Sequence, residues 1–63
     1  MIIHRLSPGI YDVTVGTTNY EVEQYPDGNW LVFLTLEHGR DFINDFATKR
    51  AAVAAIRSWS TQP

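Results

Sequence analysis

The sequence predicts an α+β domain: an antiparallel meander of three or four strands with one C-terminal helix packed on one sheet face. Three observations predict it. Residues 30–36, Trp-Leu-Val-Phe-Leu-Thr-Leu, are the only run apolar on both sides of a strand, which places them at the centre of a sheet. The segment before them, Tyr25-Pro26-Asp27-Gly28-Asn29, reads as a type I turn closed by a glycine in the left-handed region, so a hairpin joins them to the preceding strand. From Thr48 onwards the apolar period lengthens from that of a strand to that of a helix.

Met1 to Leu6 has strand-like residues ended by the turn signal Ser7-Pro8-Gly9, so 1–8 is expected to be an edge strand or an arm. Residues 10–15 alternate, with Tyr11, Val13 and Val15 on one side and Asp12 and Thr14 on the other. A tight turn at Gly16 to Asn19 then sets Val13 opposite Val22. The strand over 19–25 pairs with 29–37 so that Gln24 faces Trp30, Val22 faces Val32 and Tyr20 faces Leu34. Glu21 and Glu23 fall on the other face, beside Phe33 and Leu31, and a one-residue slip would bury both glutamates. Glu37-His38-Gly39 is read as a second turn with a glycine bulge, leading to a strand over 40–46. Phe42 is then expected to meet Leu34 and Phe46 to meet Trp30, with Asp41, Ile43 and Asp45 outward. Thr48 caps a helix over 48–60 whose stripe of Ala52, Val53, Ala55, Ile56 and Trp59 faces the sheet, while Arg50, Ala54, Arg57 and Ser58 face water. A dozen helical residues are marginal alone, so that stripe must be covered. Gln62 and Pro63 are expected to fray.

These 63 residues form one domain, without internal repeat or linker. A chain of this size buries only about 60% of the surface its unfolded form exposes, so its margin of stability is thin. Forty-four per cent hydrophobic and 19% charged residues describe a globular chain rather than a disordered one. The absence of cysteine removes disulfides and thiolate zinc sites and fits a reducing cytoplasm. Met1 to Ile3 is too short for a signal peptide, and no segment approaches the ~20 apolar residues of a membrane span. The net charge of −2 is uneven. Residues 1–37 carry Asp12, Glu21, Glu23, Asp27 and Glu37 against Arg5, whereas 38–63 carry Asp41 and Asp45 against Arg40, Lys49, Arg50 and Arg57. The sheet is acidic and the C-terminal segment basic.

Little in the chain is arranged for catalysis. His4 and His38 lack metal-ligand spacing, Ser7, Ser58 and Ser60 lack the glycine setting of a nucleophile, and Gly9, Gly16, Gly28 and Gly39 mark turns rather than a phosphate loop. Glu21 and Glu23 share a face but are expected to be solvated there, with no cleft to perturb them. No enzyme activity, cofactor, metal or small-molecule substrate is expected. Two features invite a binding role. Lys49 and Arg50 occupy the first helical turn, where anions are favoured; the alternative is that both reach into solvent, towards Asp45. The outward cluster of Tyr25, Leu31, Phe33 and Ile43 lies opposite the helix and is either covered by Met1 to Leu6, absorbed by cross-strand contacts, or used as a protein interface.

Asp27-Gly28 with Trp30, the turn His38-Gly39-Arg40, Phe46, Thr48-Lys49-Arg50, Ala52 and Ala55 together resemble the three-stranded-sheet-plus-helix modules at the amino ends of phage integrases. That resemblance covers about 27–59 and implies sheet-face contact with DNA through Leu31, Phe33 and Thr35, with Arg40 nearby. Those positions are apolar or neutral here and flanked by Asp12, Glu21 and Glu23, and DNA affinity rests mainly on neutralised phosphates. The whole chain also resembles short uncharacterised proteins of actinobacterial phages, with the Gly9 to Tyr11 strand start and the Thr48-Lys49-Arg50 helix start, which implies a phage or host-cell setting. The expectation is a cytoplasmic, non-enzymatic module that binds protein, itself or a host factor. A nucleic-acid-binding accessory module using Arg40, Lys49, Arg50 and Arg57 ranks second.

Overall fold

The computed structural model describes residues 1–60; Gln62 and Pro63, expected to fray, lie outside the described residues. Strands β1 (Ile2–Ser7), β2 (Ile10–Val15), β3 (Thr18–Gln24), β4 (Trp30–Leu36) and β5 (Gly39–Phe46) form an antiparallel meander in sequence order, followed by helix α1 (Lys49–Ser60). The sheet has five strands rather than three or four, because Ile2–Ser7 is a full strand paired with β2. Its residues are exposed on both faces, so backbone pairing rather than burial holds it, and no apolar alternation marked it in advance.

Turn chemistry sets each register. Between β3 and β4 the Gly28 N–H donates to the Tyr25 carbonyl and the Tyr25 N–H to the Asn29 carbonyl, both at 2.8 Å, while the Asp27 carboxylate accepts from the Asn29 N–H at 2.9 Å. The pairs Gln24·Trp30, Val22·Val32 and Tyr20·Leu34 follow as expected. Gly28 has φ +92° and open space where a Cβ would stand, so substitution there strains the backbone without creating a clash. Gly28→Val is expected to lower stability by about 1–2 kcal/mol. A urea midpoint unmoved by that change would mean that this turn does not set the register.

The β2–β3 turn differs from expectation. Val15 pairs with Thr18 around a Gly16-Thr17 loop with Gly16 at φ 61°, a type II′ hairpin two residues tighter than the one expected. Val13 therefore faces Tyr20, and Val22 faces Tyr11. Both changes are by two residues, so every side chain keeps its face.

The β4–β5 turn is corrected by one residue, which has larger consequences. Leu36 pairs with Gly39 across Glu37-His38, so the loop has two residues and not three. From Arg40 to Phe42 the strand is thereby phased opposite to expectation: Arg40 faces Thr35, Asp41 faces Leu34 and Phe42 faces Phe33. An irregularity beside Val32 and Phe33, where Ile43 has no direct partner, restores the expected phase, and Asn44·Val32, Asp45·Leu31 and Phe46·Trp30 follow. Phe42 leaves the helix side for the outer face, Asp41 makes the reverse move, and Ile43 becomes the bulged residue.

The core lies between helix and sheet. Val13, Val22 and Val32 meet Ala52 and Ile56, all of them 0% exposed, and Tyr11, Val15, Tyr20, Trp30, Phe46 and Trp59 close the margins. The rings of Tyr20 and Phe46 stand 6.1 and 6.4 Å from that of Trp59. Thr48 caps the helix, its Oγ1 accepting from the Ala51 N–H at 3.1 Å. Alanine at 52 and 55 lets the helix approach closely, and it lies over β2 to β5 without reaching the backbone of β1. No helix among the described residues is long and apolar enough to cross a membrane.

Candidate interaction face

The face turned away from the helix is built by alternation from Asp12 on β2, Glu21 and Glu23 on β3, Leu31, Phe33 and Thr35 on β4, and Arg40, Phe42 and Asp45 on β5. Its centre is Phe33, which is only 6% exposed. Two side chains from β5 cover it. The Phe42 ring meets it edge-on at 5.8 Å and 64°, and the Arg40 guanidinium carbon lies 3.8 Å from its centroid.

Arg40 also reaches across β4 to β3, pairing through Nη1 with Glu21 and, at 2.9 Å, with Glu23. Its hydrogen bond to Glu23 and the charge of both carboxylates hold the guanidinium pKa above its ordinary value against the opposing effect of burial. A base whose folded pKa is raised stabilises the fold fully below its unfolded pKa and loses that contribution only as pH climbs through the folded value; for arginine both lie far above neutrality, so the contribution is constant across ordinary pH. The one-residue slip in β5 thus has an electrostatic reason: it delivers the only cation of that strand to two carboxylates.

The interface candidates are distributed unequally. Phe33 is buried, Leu31 half-buried, and Tyr25 and Ile43 are exposed at 37% and 40%. Tyr25 shares the outer face but lies at the Asp27-Gly28 end, where Asn29 also donates to the Asp45 carboxylate at 3.2 Å. Phe42, assigned to the core by sequence phasing, is the most exposed aromatic residue of this face at 56%. A signal for it existed in charge: only the slipped phase places Arg40 beside Glu21 and Glu23.

The cation candidates do not share a surface. Arg40 is on the outer face with two carboxylates. Lys49 folds back so that its Nζ stands 4.2 Å over the Tyr11 ring on the helix side, instead of extending towards Asp45. Arg50 is exposed on the helix, and Arg57 places Nη2 3.9 Å from the Met1 sulfur. His4 lies on β1 and His38 in the β4–β5 turn, both exposed. Among the described residues no three of His, Asp and Glu gather in a metal-holding arrangement, and there is no enclosed pocket. No family model, curated protein or solved structure matches the chain.

Proposed function

We propose that the chain is a non-enzymatic protein-interaction module of the cytoplasm, in a phage or host-cell setting, binding a second copy or a host protein through its outer sheet face. One observation carries this reading: an aromatic ring, Phe42, stands more than half exposed over a buried one, on a strand rather than a loop, with exposed Ile43 next to it in the chain. Clustered aromatic anchors on rigid backbone, rimmed by charge such as Arg40, Glu21, Glu23 and Asp45, are what protein-binding hot spots require. A nucleic-acid role has less support, since the only candidate cation on this face is already offset by two carboxylates and the other candidates lie on the helix side. Capture of partners by immobilised protein from a host lysate, with and without nuclease, tests the reading. Phe42→Ser and Ile43→Ser are expected to abolish capture while circular dichroism shows a folded chain. Capture unchanged by both substitutions, or lost on nuclease treatment of the wild type, would count against it.

A further inference from the structure

The backbone of β1 offers an interaction surface separate from the outer face. The Gln24 N–H donates to the Gly9 carbonyl at 2.7 Å, and the Gly16-Thr17 hairpin closes at Val15·Thr18, so Gly9, Tyr11, Val13 and Val15 exchange their hydrogen bonds with β3. By alternation Asp12 and Thr14 turn theirs towards β1, where they face His4 and Ile2. The N–H and C=O groups of Ile3 and Arg5 consequently point away from the sheet, to an edge with no further strand among the described residues. This edge is also apolar: Met1, Ile2, Ile3 and Leu6 are 46%, 70%, 45% and 55% exposed, half of the large exposed apolar side chains, and α1 does not lie over their strand.

The two edges of the sheet are not equivalent. β5 is interrupted by its bulge and carries Arg40, Asp41 and Asp45, features that block strand addition. β1 is regular from Ile2 to Arg5, carries Arg5 as its single charged side chain beside His4, and has no acidic residue or proline there; its only irregularity is at Leu6. We infer that β1 pairs antiparallel with β1 of a second copy, joining two sheets into one of twice the width.

Topology sets how two copies meet. If two copies extend one sheet with their helices on the same side, antiparallel contact must join like edges about a two-fold axis normal to the sheet, whereas β1 against β5 would be parallel and would meet the bulge. The same symmetry makes facing residues sum to an even number, so Ile3 and Arg5 face odd-numbered residues of the second copy and exchange bonds with them. Each Arg5 then lies opposite an apolar or backbone-matched neighbour in any register centred on Ile3 or His4, never opposite its own copy. The floor between the two helices is lined by Ile3 from both chains.

The parity of the edge makes the test specific. Proline at position 3 or 5 removes an N–H that serves only the second copy, and edge strands tolerate proline there; proline at position 4 removes an N–H of the β1·β2 ladder. Sedimentation of the full chain over a concentration series is expected to show a reversible dimer, weakened tenfold or more by Ile3→Pro and by Arg5→Pro with little change in melting temperature. His4→Pro is expected to lower the melting temperature instead. Hydrogen exchange gives an independent readout on the wild type: the Ile3 and Arg5 amides should gain protection with concentration, whereas Ile2 and His4 are protected throughout. A chain monomeric into the millimolar range, a dimer indifferent to Ile3→Pro and Arg5→Pro, or protection of Ile3 independent of concentration would each overturn the inference. Because Phe42 and Ile43 lie on β5, at the opposite edge of the sheet from β1, their serine variants should still dimerise, so failure of this inference is distinct from failure of the outer-face reading.

Discussion

Ile56→Ala is expected to remove about half of the stability of the fold. Ile56 is the largest fully buried side chain, and on the helix only it and Ala52 are fully buried, so its removal empties the space between helix and valines that no neighbour can fill. Substitutions of this kind cost about 2–5 kcal/mol through lost transfer energy and the cavity left behind. At about 0.05–0.15 kcal/mol per residue, a chain of 63 residues has roughly 3–9 kcal/mol to lose. The helix adds to the loss, since a 12-residue helix separated from its sheet is marginal in water. Far-UV circular dichroism with urea titration checks this against Ala54→Ser, an exposed position on the same helix, for which a shift of a few tenths of a kcal/mol is expected. If both variants unfold at the same urea concentration, the helix is not what holds the sheet together.

The contrast between well-read and misread elements follows the physics of their turns. Tyr25 to Asn29 was legible because proline, aspartate and glycine each occupy the position their conformations demand, and the β3–β4 register follows from that loop alone. The helix was legible because Thr48 and the stripe from Ala52 to Trp59 agree. Glu37-His38-Gly39 is different. A two-residue loop followed by Gly39, at φ 147°, and a three-residue loop containing it use the same residues, and nothing local separates them. The bulge at Ile43 then hides the error, because Phe46 meets Trp30 in either phase. For that reason sequence phasing puts Phe42 on the helix side, whereas the pairing Phe33·Phe42 gives the outer face its exposed ring. The β1 strand was legible only as a possibility, since its stabilisation comes from backbone pairing and side-chain pattern carries no trace of that.

The same slip changes what Phe33 does, and Phe33→Ala is expected to cost about 3 kcal/mol. Sequence phasing alone places Phe33 on the outer face, where Met1 to Leu6, cross-strand contacts or a partner could cover it and truncation leaves the helix–sheet core intact. With Phe42 and Arg40 brought round to this side, Phe33 is buried by its own chain, and burial of a phenylalanine is lost on truncation together with the space it filled. Arg40 would lose the ring beneath its guanidinium and keep only ion pairs that, at 38% side-chain exposure, contribute less than about 1 kcal/mol each. Phe42→Ala, removing a ring already more than half exposed, should cost well under half as much. Urea titration of the two variants separates a second, smaller core on the outer face from a merely solvent-facing pair of rings. Equal and small shifts would mean that Phe42 and Arg40 do not hold their places over Phe33 in solution, leaving that ring open to a partner. A large shift for Phe33 alone would make it the foundation on which the exposed Phe42 is mounted, so that the site's rigidity comes from the same contacts that stabilise the fold.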